Sequence, residues 1–122
     1  MKAPLQNEST ELKYQFGIIV PSTIYDKKIS KTEFNNRIKG TKKFLSQTFM
    51  GSTSVKETGS YISDDNKLID EEGVLVESSM TQTQYKTNIY KIEKYIKQKQ
   101  KDWGQQRIGY QFENSFYVYP EY

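Results

Sequence analysis

Chemistry in this chain has to come from carboxylates, lysines, tyrosines and two arginines, because its 122 residues include neither histidine nor cysteine. Without cysteine there is no disulfide framework and no thiolate metal site. Without histidine, imidazole acid–base catalysis, the usual nucleophilic triads and most transition-metal sites are removed together. No catalytic residue, no metal ligand set and no cofactor is therefore expected, and the chain reads as a non-enzyme.

Arg37 and Arg107 are exceptions in a chain whose eighteen bases are otherwise all lysine. A guanidinium grips phosphate through two parallel hydrogen bonds, which an ammonium cannot do. An ordinary ion pair is the alternative for either one. Arg107 is the stronger candidate, since it follows a helix at the start of a strand, where side chains converge on pockets. Asp70, Glu71 and Glu72 form an acidic cluster. Neighbours on a strand point to opposite faces, so Glu71 and Glu72 are poorly placed as an acid–base pair. A solvated edge or a divalent-cation site are the two readings of that cluster.

Charge is unevenly spread under a net of only +3. Glu57 to Glu77 holds seven acids, and Lys86 to Arg107 holds seven bases. Two solvated faces, head-to-tail association or a basic pocket for an anion would each produce this pattern. The near-neutral total argues against a dedicated nucleic-acid binder. Tyr110, Phe112, Tyr117 and Tyr119 could pack a sheet, stack on bases or fill a subunit interface. No phosphate-cradling glycine loop is present; Gly51 and Gly59 read as turn or bulge residues.

The elements that must position these groups are legible from periodicity. Met1–Glu11 reads as a loose arm, and residues 12–122 as one α+β domain. Leu12, Tyr14, Phe16, Ile18 and Val20 alternate as a strand does, ending at Pro21. Tyr25 and Asp26, in the connection that follows, have no assignable role. Ser30-Lys31-Thr32-Glu33 is a capping box opening a helix whose stripe is Phe34, Ile38, Thr41, Leu45 and Phe49. Gly51 is expected to close it. Ser52–Tyr61 and Leu68–Glu77 then form a hairpin around the turn Ser63-Asp64-Asp65-Asn66. Thr81-Gln82-Thr83-Gln84 is a second capping box, and Tyr85, Ile89, Ile92, Ile96 and Trp103 give the second stripe, with Gly104 after it. Two short strands close the chain. The order predicts a ferredoxin-like β-α-β-β-α-β sandwich, a mostly antiparallel sheet with two helices on one face. No signal peptide or membrane-spanning run is visible, which reads as an intracellular protein.

The hairpin carries a family resemblance. Phe49-Met50-Gly51-Ser52-Thr53, Gly59-Ser60-Tyr61, a polar turn and Glu71-Glu72 resemble a pattern of small phage and bacterial proteins, roughly Phe-Gly-Gly-x-Thr, Gly-x-aromatic and an acid before an apolar strand. Met50 departs from it, where the pattern prefers glycine. Size, element order and composition also look like the phage Thoeris anti-defence proteins of the first type. That resemblance implies a sponge that binds a cyclic ADP-ribose isomer, or a cyclic dinucleotide, without degrading it. It also implies a homo-oligomer, dimer or hexamer, acting in the cytoplasm of an infected bacterium, with no membrane partner. By residue type, the ligand would meet Arg107 and Arg37 at its phosphates, Tyr85 or Tyr110 as a stacking ring, and Asn88 as an amide reader. A sponge needs nanomolar affinity, about −12 kcal/mol. Ligands of this size yield roughly −0.3 kcal/mol per heavy atom, so near-complete enclosure at a subunit junction is expected. Two other readings stay open: an interaction protein that blocks a host protein or nucleic acid through its basic helix, and a carboxylate- or tyrosine-based enzyme.

Overall fold

A computed structural model describes residues 8–63 and 65–122. The first seven residues of the expected arm, and Asp64 of the expected turn, lie outside them. The alternating segment forms β1 (Tyr14–Pro21). A two-stranded hairpin, β2 (Thr23–Ile24) and β3 (Lys27–Lys28), precedes helix α1 (Lys31–Phe49). Strands β4 (Thr53–Ile62) and β5 (Leu68–Met80) lead to helix α2 (Gln82–Asp102). Strands β6 (Ile108–Phe112) and β7 (Ser115–Tyr119) follow. The main sheet runs β4-β5-β1-β6-β7, every neighbouring pair antiparallel. Setting aside the short hairpin and the edge strand β7, this is the ferredoxin-like sandwich that the sequence predicts.

Helix boundaries follow their caps. Ser30 Oγ accepts the Glu33 amide at 3.1 Å. The reciprocal bond from the Glu33 side chain is absent, so this box is half made. At α2 both halves form: Gln84 Nα–H donates to Thr81 Oγ1 at 3.1 Å and Thr81 Nα–H donates to Gln84 Oε1 at 2.8 Å. The α1 terminus corrects the sequence reading. Met50, not Gly51, takes the left-handed conformation (φ 77°). Gly51 instead offers its carbonyl to Ser78 Oγ at 2.6 Å. Gly104 does occupy the left-handed position after α2 (φ 58°), and a Cβ there would sit 2.6 Å from Ile24. Its amide and that of Gln105 return to Lys101 and Gln100, satisfying the last carbonyls of the helix. Tyr25 and Asp26 gain a role as well. Both have positive φ, 47° and 68°, and so form the tight turn between β2 and β3 that matches strand twist.

Strand alternation divides the main sheet into two unlike faces. Phe16, Ile18 and Val20 of β1 pair with Ser78, Val76 and Val74 of β5, and all six are buried under the helices with Leu45, Ile92 and Trp103. Each fully buried aliphatic side chain stabilises this layer by about 1.5–3 kcal/mol. The opposite face carries no helix. There Ile19, Leu75 and Val55 form a row, with Gly17, Gly73 and Gly109 between the larger side chains.

Candidate functional site

Arg37 points from the second turn of α1 toward the end of β1, and its fork is committed to backbone. Nη1 donates to the carbonyls of Pro21 (3.0 Å) and Thr23 (2.8 Å), and Nη2 donates to that of Trp103 (3.4 Å). The guanidinium also lies 5.7 Å from the Trp103 ring centroid. Burial lowers its pKa, partly offset by Glu33 and Glu71. It ties the end of β1, the short hairpin and the end of α2 together. Gln105 Nε2 reinforces the knot by donating to Thr23 O at 2.7 Å.

Tyr85, Tyr110 and Asn88 sit toward the other end of β1. Tyr85 stacks on Phe112, with centroids 4.3 Å apart, and tilts against Tyr14 at 6.3 Å. Tyr110 stacks on Tyr117 at 5.3 Å. Burial raises the pKa of both Tyr85 and Tyr110, and neighbouring phenols add to it, so both rings stay neutral hydroxyl donors at ordinary pH. Asn88 Nδ2 donates to Gln84 O at 2.8 Å, within its own helix. Tyr14, which touches Tyr85, is seven residues from Pro21, which touches Arg37. That is about 23 Å of strand. The fold therefore brings Tyr85, Tyr110 and Asn88 into one neighbourhood and leaves both arginines out of it.

Arg107 belongs to the bare side of the sheet. It precedes Ile108, whose side chain is buried in the core, so alternation turns Arg107 the other way, with Gly109. Its guanidinium lies 4.7 Å from the ring centroid of Tyr122. Its buried Nε has no hydrogen-bond partner, and among the described residues it makes no ion pair. Glu57, on the same side, is opposite Gly73 and reaches over it: a Cβ on Gly73 would lie 4.0 Å from Glu57 Cγ and 3.4 Å from Ile19. Burial raises the Glu57 pKa, and no donor among the described residues meets its carboxylate. No signal in the sequence set Glu57 apart from the other acids of the hairpin.

The acidic cluster is partly spoken for. Glu71 Oε1 accepts from Thr23 Oγ1 at 2.8 Å, and Asp70 Oδ1 accepts from Ser60 Oγ at 2.5 Å. Among the described residues, no group of three acidic side chains is arranged to hold a metal ion. An open groove of about 260 Å³ runs between the helices beside Arg37, lined also by Glu33, Asn36, Tyr95, Lys99, Asp102 and Trp103. No helix among the described residues is long and apolar enough to cross a membrane.

No family model matches the chain, and no curated protein matches it in sequence. Solved structures do. The chain is similar in fold to a phage SAM lyase. Against that enzyme in complex with S-methyl-5′-thioadenosine, the TM-score is 0.60 at 15% identity, over 86% of this chain and 87% of the other. Against the apo state it is 0.61 at 16% identity, over 89% and 91%. Identity this low establishes the fold alone. It nevertheless overturns the expectation of a non-enzyme, since the same architecture over the same length carries a lyase. It agrees with the phage side of the family resemblance and adds nothing for Thoeris sponges in particular.

Proposed function

We propose that this chain binds S-adenosylmethionine and cleaves it to S-methyl-5′-thioadenosine, removing the methyl donor from an infected bacterial cytoplasm. The observation that carries this reading is the end-to-end likeness to a phage SAM lyase. The chemistry suits a chain without histidine or cysteine. S-methyl-5′-thioadenosine keeps the methyl and adenosyl groups, so the bond that breaks joins sulfur to the aminocarboxypropyl chain. The sulfonium is its own activated leaving group. A carboxylate oxygen of the substrate attacks the carbon next to sulfur, a C–O bond closes a five-membered lactone, and the C–S electron pair departs on a neutral thioether. No proton moves, so no imidazole is required. What the protein must supply is a conformation that brings carboxylate and carbon together, a contribution of orientation.

The ligand presents a purine, a cation and an amino-acid carboxylate. Tyr85 and Tyr110, held in one aromatic cluster, are candidates for stacking on the purine, with Asn88 beside them as an amide. Arg107, which makes no ion pair among the described residues, lies on the other side of the sheet and would meet the same ligand only from a neighbouring subunit. Arg37 serves the fold. A homo-oligomer would supply the enclosure that one open sandwich lacks.

Incubation with S-adenosylmethionine followed by chromatography tests this directly. S-methyl-5′-thioadenosine should accumulate with enzyme concentration and time. If the substrate is returned intact while calorimetry registers a cyclic ADP-ribose isomer, the lyase reading is rejected in favour of the adenosine-containing ligand implied by the family resemblance.

A further inference from the structure

Within the aromatic cluster of the helix-covered face, Tyr117 is the most exposed ring. Tyr110 of β6 lies between Phe16 and Tyr117. Phe16 of β1 tilts against it at 5.8 Å between centroids, and Tyr117 of β7 stacks on it at 5.3 Å with the planes 14° apart. Tyr85 is likewise taken, stacked on Phe112 at 4.3 Å and tilted against Tyr14 at 6.3 Å. The run Phe16–Tyr110–Tyr117 steps outward one strand at a time, since β1, β6 and β7 are successive neighbours and Tyr110 is opposite Tyr117. Strands lie about 4.8 Å apart, close to the spacing of stacked rings. β7 is the last strand of the sheet, so the next rung is missing. Exposure rises along the run: Phe16 is 2% exposed, Tyr110 is half-buried and Tyr117 is 43% exposed.

An occupant of that rung has to be flat, and the surrounding groups narrow it further. Burial first, and then the neighbouring phenols and the Glu93 carboxylate, raise the pKa of Tyr85 and Tyr110. The phenol ends and Glu93 of α2 therefore stand close together, as a polar rim to an aromatic wall. An apolar segment of another chain would leave that rim unused. A nucleoside uses both parts, with its base on the ring and its ribose hydroxyls donating to a carboxylate. We propose that Tyr117 is the stacking platform for the purine of an adenine nucleoside, which takes the missing rung beyond β7. This rests on the S-adenosylmethionine reading above and names the ring that the purine touches. Tyr110 acts through Tyr117: together with Phe16 it holds the platform in place from behind, so that little side-chain freedom is lost when the base arrives.

The test is a titration of the full chain with S-methyl-5′-thioadenosine, a stable adenine nucleoside, followed by calorimetry and by its purine H2 and H8 resonances. Stacking should move both resonances upfield. Tyr117→Phe keeps the ring face and should bind within about twofold of wild type. Tyr117→Leu keeps apolar bulk against Tyr110 but has no π-face. It should weaken binding about tenfold or more, remove the upfield shifts, and raise KM for S-adenosylmethionine by a similar factor. Tyr117→Ala should match it, and the unfolding midpoint of each variant checks that the edge strand is kept. Tyr90→Ala, which deletes an 80% exposed ring elsewhere on α2, should change neither affinity nor shifts. Unchanged affinity and KM in Tyr117→Leu, with product still formed, overturn the platform and leave the lyase reading standing. Self-association that falls in Tyr117→Leu while affinity and KM hold assigns the ring to a subunit contact, and overturns the platform as well. No wild-type binding together with S-adenosylmethionine returned intact overturns the lyase reading, and the platform with it.

Discussion

The two faces of the main sheet treat polar groups in opposite ways. Under the helices, Arg37 donates to three carbonyls, Thr41 Oγ1 meets Tyr95 Oη at 3.0 Å, and Ser78 reaches Gly51. On the bare face the buried Nε of Arg107 is left without a partner among the described residues, beside a field of half-exposed aliphatic side chains. The first arrangement is what stability selects: burial of a polar group is tolerated when every donor is used. The second stabilises nothing in the folded monomer, and the one unsatisfied buried donor is a cost of roughly 1–3 kcal/mol. The helix-covered face is accounted for by folding alone, and the bare face is not.

That division can be broken by substitution. Arg37→Ala should be the most damaging change, lowering unfolding free energy by about 4 kcal/mol because three carbonyls lose their donor at once. Denaturant unfolding followed by the fluorescence of the one tryptophan, Trp103, would measure it. A loss below about 1 kcal/mol would mean that water replaces the guanidinium and that this end of the core is not sealed. Next, Leu45→Ala under the helices should cost about 3 kcal/mol, whereas Leu75→Ala on the bare face should cost less than about 1. Equal losses would erase the distinction between the faces.

Met50→Gly should add about 1 kcal/mol, since it removes a Cβ from a left-handed position at an exposed helix end. The smallest effect belongs to Glu57. Its folded-state pKa is raised, so the native chain holds its proton to higher pH than the unfolded chain does. Stability therefore falls as pH rises through the carboxylate range toward neutrality. Glu57→Gln should raise the melting temperature slightly at neutral pH, with the gain fading in acid; a gain that persists unchanged in acid would argue against a desolvated carboxylate.

Most of the architecture was legible because both helices announce their starts and the first strand alternates. Ser30 and Thr81 cap where the sequence says, and Phe16, Ile18 and Val20 bury as a set. The α1 exit was misread because glycine is the usual left-handed residue, and here methionine takes the strain one position earlier. The hairpin of Tyr25 and Asp26 escaped notice because neither residue is a typical turn former at both central positions. The site was less legible for a different reason. Tyr85, Tyr110 and Asn88 are candidates by residue type rather than by any motif, and the arginines could not be placed without knowing which face each strand end presents. Glu57 is one of seven acids in its stretch, and only its register opposite Gly73 distinguishes it. The absence of histidine counts against imidazole acid–base catalysis, and a sulfonium that leaves by itself does not need it.

The decisive measurement is one NMR titration of isotope-labelled protein with S-adenosylmethionine, following the ligand methyl resonance and the backbone amides together. The account predicts that the sulfonium methyl signal is replaced by the thioether methyl of S-methyl-5′-thioadenosine. An unchanged methyl signal over the same time and enzyme concentration would contradict it.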